Sequence, residues 1–337
     1  MPMMKVVQVP FAGGEFEWVD RPIPMPRAGE VLIKVQACGV CRGDVVAKQG
    51  TFPGLSYPRV PGHEVVGTIA ALGEATSPWT AGQRVGVGWH GGHCLHCDPC
   101  RHGEFGACET ALTTGLSIDG GYAEYMIGRT EALLRVPEDL DAAKAAPLLC
   151  AGNTTFGALR SCGAQAGELV AIHGLGGLGH LGLQYAHRMG FRTAVLSHSQ
   201  HKASLARELG ADAFIDTSVG DPAAELQKLG GAKAIIGTAP DAKTIASLVG
   251  GLARHGRLIM IAFTGDVLHI PASTLLFGER SVTGAVGGDN VEAAIAFSQF
   301  AHIEPMIETF PLERAADAYD AMLTSRVRFR AVLTMDQ

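Results

Sequence analysis

The spacing of apolar residues changes partway along the chain. Up to about residue 137, short apolar runs at 6–9, 16–19 and 31–35 alternate with glycines and prolines, among them Pro22, Pro24 and Pro26. Runs of that length between turn residues predict strands joined by tight connections. The stretches 120–125 and 133–137 read as further strands of the same β-rich unit, and 142–149 as a short helix that delivers Cys150. A different pattern begins at residue 169. The run 169–172 predicts a buried strand that breaks into Gly174, Gly176, Gly177 and Gly179. Leu181, Leu183, Tyr185 and Ala186 then open a helical pattern. The alternation continues with strands at 193–196, 213–215, 233–236, 257–261 and 281–286, and helices at 200–209, 221–229 and 244–252. Strands alternating with helices of this length predict an α/β fold with a doubly wound parallel sheet. A helix at 291–300, another at 315–323 and a strand at 331–334 complete the chain.

Three segments follow: a β-rich domain over 1–150, a dinucleotide-binding domain over 151–287, and a return to the first domain over 288–337. The glycine turn carries the second assignment. Strand, tight glycine turn and helix N-terminus together form the setting in which G-x-G-x-x-G brings backbone N–H groups up to a pyrophosphate. An ordinary glycine-rich βα turn is the alternative.

Composition narrows the function classes. A length of 337 residues allows two separate cores. The net charge of −6 gives no electrostatic reason to expect nucleic acid or an anionic membrane. No apolar run is long enough to span a bilayer, and the N-terminal Met-Pro-Met-Met-Lys-Val-Val lacks the features of a signal peptide. A cytoplasmic protein is expected, in which eight cysteines serve as ligands or free thiols.

Cys94, Cys97, Cys100 and Cys108 are spaced C-x2-C-x2-C-x7-C within a lobe of about 91–110. Four thiolates so close together close a tetrahedral shell and predict a structural zinc. An iron–sulfur site uses similar spacing, but its usual Cys-Pro ending is absent. A nucleic-acid zinc ribbon fits poorly with the acidic chain. His93, His96 and His102 are expected to be solvated spacers. Cys38 and Cys41 form a C-x-x-C that suits either a redox pair or two ligands; Cys41 is kept as a candidate ligand and Cys38 as a buried thiol. His63 stands 22 residues beyond Cys41 beside Glu64, with Asp44 placed to accept its second ring N–H.

Taken together, Gly-Val-Cys41-Arg-Gly-Asp44, Gly-His63-Glu64, the four-cysteine lobe, Leu-Cys150-Ala-Gly-Asn-Thr154 and Gly-Leu-Gly-Gly-Leu-Gly179 resemble the zinc-dependent medium-chain alcohol dehydrogenases. The resemblance is nearest to the bacterial and fungal type and to cinnamyl-alcohol-dehydrogenase-like reductases. It implies a GroES-like catalytic domain, a Rossmann domain and a cleft between them. It implies that Cys41, His63 and Cys150 hold a catalytic zinc, with Glu64 behind the metal and Asp44 steadying His63. It further implies that Arg42 and Arg330 approach the pyrophosphate, that Thr154 touches the nicotinamide, and that Trp89 lines the pocket. Gly174, Gly176, Gly177, Leu178 and Gly179 would cradle the dinucleotide. The implied assembly is a homodimer or homotetramer, acting on a small alcohol or aldehyde.

Two departures stand out. The family's relay hydroxyl and relay histidine are here Gly43 and Val46. A water in the place of the hydroxyl is the reading preferred here, with His90 a further route for the proton. The acid expected at the end of the second strand is Ser197, followed by His198, Ser199 and Lys202. Small hydroxyls plus a cation favour NADP over NAD, although no arginine stands ready to clamp a 2′-phosphate. The expected activity is aldehyde reduction and alcohol oxidation. A conjugate reductase and a catalytically silent nucleotide-binding relative are the alternatives.

Overall fold

The computed structural model describes residues 2–287 and 290–335. The chain forms two units, one of Met1–Cys150 with Pro305–Gln337, the other of Ala151–Glu304.

The first unit is organised on the strand Glu30–Val40. Its sequence continues past the expected end at 35 because Ala37, Cys38 and Val40 are small and apolar, buried, and paired on both edges. It lies antiparallel to Val65–Leu72, Arg330–Thr334 and Tyr125–Arg129. The sheet runs Ile307–Pro311, Arg330–Thr334, Glu30–Val40, Val65–Leu72, Arg84–Val87, Leu133–Arg135, with Tyr125–Arg129 also paired to Glu30–Val40. Val31, Ile33, Val35, Val65, Ile69 and Val87 form its core with Ala315, Ala318 and Tyr319 of the helix Ala315–Leu323.

Antiparallel register accounts for the neighbours of Cys41. In an antiparallel pair the end of one strand faces the start of the next. Cys38 pairs with Val65, so the chain leaving Glu30–Val40 passes His63 and Glu64 as they enter Val65–Leu72. Ala331 pairs with Val40, which brings Arg330 to the same end. A six-residue helix absent from the sequence expectation, Asp44–Gln49, follows directly.

The second unit has six parallel strands in the order Ala213–Asp216, Arg192–Ser197, Leu169–His173, Ala232–Gly237, Leu252–Met260, Ser281–Gly284. All five residues of Leu169–His173 are buried, as a central parallel strand requires. The strand order reverses on either side of it, which is where doubly wound sheets bind nucleotides. The α/β fold with a doubly wound parallel sheet, together with a separate β-rich unit, is thus the fold observed.

Two boundaries are corrected. The strand expected at 257 begins at Leu252 and the preceding helix ends at Leu248, because Val249 and Leu252, read as a helical face, fill the core from a turn and a strand start. The return to the first unit comes at Pro305, not at 288. Helix Val291–Phe300 belongs to the second unit: Ser298 and Tyr185 share a hydroxyl hydrogen bond of 2.6 Å, and the Phe297 ring lies 5.4 Å from that of Phe156. No helix among the described residues is long and apolar enough to cross a membrane.

Candidate active site

Cys41, His63, Glu64 and Cys150 bring one ligand atom each to within 4.8 Å of one another. All four lie in the first unit. The Cys41 and Cys150 sulfurs are 3.9 Å apart. Zinc–sulfur bonds of about 2.3 Å in a tetrahedron separate their sulfurs by about 3.8 Å, so a zinc ion fits between them. His63 is buried, and its Nε2 has no hydrogen-bond partner. An orphaned buried nitrogen is costly unless something outside the protein satisfies it. Its other nitrogen, Nδ1, lies 3.1 Å from Asp44 Oδ1, which sets the ring's tautomer and direction.

Behind this cluster, Arg330 donates from one terminal nitrogen to Glu64 Oε1 at 2.5 Å, with both side chains buried. The resemblance implies that Arg330 approaches a pyrophosphate; strand register, which sets Ala331 opposite Val40, brings it to Glu64. Gly39 makes room for it, since a β-carbon there would stand 1.9 Å from Glu64 Oε2. Burial pushes the Glu64 carboxyl up to about 7 against the pull of Arg330. Although burial opposes it, the Asp44 carboxylate, and after it Cys41, hold His63 well above its ordinary range. The hydrogen bond from Cys150, aided by His63 and Arg330, holds the Cys41 thiol well below the usual range despite burial. Binding a metal would displace the His63 proton and leave both sulfurs as thiolates.

Gly43 is closely packed by two rings. A β-carbon would stand 2.7 Å from His63 Cε1 and 2.9 Å from Trp89 Cζ3. The indole meets the imidazole edge to face, with centroids 4.8 Å apart. A side chain at this position would have to move the Trp89 or the His63 ring.

Cys94, Cys97, Cys100 and Cys108 form the second cluster. Cys94 and Cys100 sulfurs are 4.0 Å apart, those of Cys97 and Cys108 3.8 Å, again the separations of a tetrahedral site. Backbone N–H groups of Cys97 and Cys94 donate to the sulfurs of Cys94 and Cys108. Against burial, the N–H groups of Cys94 and Thr110 bring Cys108 down to about 6. The set offers four sulfurs, enough to close a tetrahedral shell. His93 departs from its expected role as a solvated spacer. It is buried, 2.9 Å from His90 Nε2, and stacked on Phe105 at 4.1 Å, because the lobe folds back over it.

In the second unit, Gly174 takes a left-handed φ of +96° at the end of Leu169–His173. Thr238 donates to the carbonyls of His173 and Gly174 and ties the turn to the next strand. A β-carbon at Gly179 would lie 1.7 Å from the Gly174 carbonyl oxygen, whereas one at Gly176 would meet nothing within 4 Å. Gly179 is thus required by the turn itself, and Gly176 leaves an open face that a phosphate can approach. Gly177 and Leu178 lead into the helix Gly179–Arg188. Ser197 is buried at the end of its strand, and His198 beyond it is exposed. Lys202 Nζ donates to the Leu175 carbonyl at 3.1 Å, within the glycine turn. Thr154 lies buried in the helix Ala151–Arg160, and Arg42 precedes Gly43 in the first unit.

Two family models match the chain: "Alcohol dehydrogenase GroES-like domain" over residues 27–138 and "Zinc-binding dehydrogenase" over 177–301. The chain is 45% identical to the alcohol dehydrogenase patD of Penicillium expansum, covering 93% of this chain and 92% of that one. It is 43% identical to the alcohol dehydrogenase notN of an Aspergillus species, covering 94% of each. Among solved structures, a cinnamyl alcohol dehydrogenase of Sorghum bicolor superposes with a TM-score of 0.89 at 28% identity, covering 99% of this chain and 98% of that one.

Proposed function

We propose that this chain, which belongs to the zinc-dependent medium-chain alcohol dehydrogenase family, works chiefly as an NADPH-dependent reductase of small aldehydes and oxidises the corresponding primary alcohols in reverse. That it is an oxidoreductase using zinc and a nicotinamide cofactor follows from the family. Cys41, His63 and Cys150, with Glu64 behind them, would hold the catalytic zinc; Cys94, Cys97, Cys100 and Cys108 would hold a structural one. The single observation that carries the reading is the orphaned Nε2 of His63 beside two sulfurs at tetrahedral spacing. When bound, zinc would supply a Lewis acid for a substrate oxygen and the nicotinamide would supply the hydride chemistry.

The chain's own residues then have defined tasks. Asp44 aims His63, and Arg330 neutralises the buried Glu64 carboxylate. Trp89 covers one edge of His63 and narrows the space beside it. Gly174, Gly176, Gly177, Leu178 and Gly179 would cradle the pyrophosphate, with Thr154 against the nicotinamide. NADP is favoured because Ser197 stands where an acid would select NAD, with His198, Ser199 and Lys202 beside it. NAD remains the minor cofactor. A cytoplasmic setting suits eight free cysteines, and a homodimer or homotetramer suits the sheet edge Ser281–Gly284, flanked by exposed Phe277 and Val286.

Metal analysis with NADPH and NADH oxidation across aliphatic and aromatic aldehydes tests this. Two zinc ions per chain and faster NADPH oxidation support it; one zinc in a fully active protein overturns it. The crowding at Gly43, which leaves no side chain to carry a proton, favours a second reading, conjugate reduction. Saturated aldehyde formed from cinnamaldehyde, in place of the allylic alcohol, would select it. Cofactor binding with no turnover of any aldehyde would mark a silent relative.

A further inference from the structure

We propose that Tyr122 is a positioning residue for the Cys41–His63–Cys150 cluster, acting through Asp44. The inference rests on the reading of that cluster as the catalytic metal site. Asp44 is 2% exposed and its carboxylate has three donors. Oδ1 faces His63 Nδ1 at 3.1 Å. Oδ2 accepts the Cys41 N–H at 2.9 Å and the Tyr122 hydroxyl at 3.0 Å. Two donors on one oxygen and one on the other stop the carboxylate from rotating. That fixes the imidazole plane and the direction of the orphaned Nε2. Tyr122 is itself immobile. It is fully buried, its N–H donates to the Pro61 carbonyl at 3.0 Å, and its carbonyl accepts from the Val7 N–H at 2.8 Å.

The ring has no slack. A β-carbon at Gly62 would meet Tyr122 Cδ1 at 2.5 Å, Cys38 Sγ at 2.7 Å and Tyr122 Cε1 at 2.9 Å. This explains one glycine that the metal chemistry leaves unused: Gly62 makes room for the ring. Burial, and then the Asp44 carboxylate, push the Tyr122 phenol well above its ordinary range, so it remains a donor at any working pH. A continuous support therefore runs from Val7 through Tyr122 and Asp44 to His63. Partners one step removed from a metal ligand alter metal affinity by about 10–100-fold when removed.

The test compares the zinc-replete parent with Tyr122→Phe, which deletes one oxygen and keeps the ring. Both proteins are exposed to a chelator while metal release is timed, and both are refilled with Co²⁺ for visible spectra. The expected result is loss of one of the two metals about tenfold faster in Tyr122→Phe, with shifted ligand-field bands and parental release from the cysteine lobe. In an Asp44→Ala background, adding Tyr122→Phe should change neither readout. Equal release rates and equal spectra, additive effects in the double variant, or a Tyr122→Phe protein that does not fold would each overturn the proposal. A parent that holds metal only in the cysteine lobe would overturn the underlying reading of the cluster. A parent with both metals and an indistinguishable variant would remove the Tyr122 step alone.

Discussion

A β-carbon at Gly43 would lie 2.7 Å from His63 and 2.9 Å from Trp89, so Gly43→Ser does not simply restore a missing hydroxyl. We expect Gly43→Ser to displace His63 and lower kcat/KM for alcohol oxidation by about tenfold, with weaker metal retention. Gly43→Ser with Trp89→Ala should recover part of that loss. A single variant faster than the parent near neutral pH would show that the site relaxes and that the hydroxyl had been limiting. His173 provides a pH prediction. It is buried, its Nδ1 lacks a partner, and burial, then the nearby His198, lower its pKa against the pull of Asp241. The unfolded chain therefore takes up this proton first as pH falls through about 6.5, and stability is lost from there downward. The melting temperature should fall less between about pH 7 and about pH 5.5 in His173→Phe than in the parent. An unchanged slope would remove His173 from the acid response.

The glycine turn and the cysteine lobe are elements whose glycines and thiols play separable parts. Gly179→Ala puts a β-carbon 1.7 Å from the Gly174 carbonyl and should destabilise the second unit, lowering both the melting temperature and cofactor affinity. Gly176→Ala meets only open space in the protein, so its melting temperature should match the parent's while NADPH binding weakens by about tenfold or more. Titration of NADPH fluorescence separates the two; equal affinity in Gly176→Ala and the parent would put the pyrophosphate elsewhere. In the lobe, Cys100→Ser removes one of four sulfurs. We expect one zinc fewer per chain and a melting temperature lower by several degrees, with kcat largely kept in the protein that still folds. Parental stability and metal content in Cys100→Ser would dismiss the structural role.

Across the whole molecule, the open edge Ser281–Gly284 gives assembly its test. Ala285 donates its N–H inward to the Met260 carbonyl, so by alternation the Gly284 N–H faces the open edge; Gly284→Pro removes it and should shift the sedimenting species toward the monomer if a second copy pairs there. What the sequence determined by itself was local. Cysteine spacing specified the lobe, because its four sulfurs lie within one short loop, and the strand–glycine–helix run specified the glycine turn, because one βα unit contains it. Apolar period set the parallel sheet, since every buried strand must be apolar along its length. The misplaced return at 288 shows the limit of that logic: an amphipathic helix at 291–300 suits either unit until Tyr185 and Phe156 supply its partners. Tertiary structure alone decided the pairing of Arg330 with Glu64, the support of Asp44 by Tyr122, and the close packing of two rings at Gly43. Each depends on antiparallel register and packing that join residues far apart in the chain, and a one-dimensional pattern carries neither.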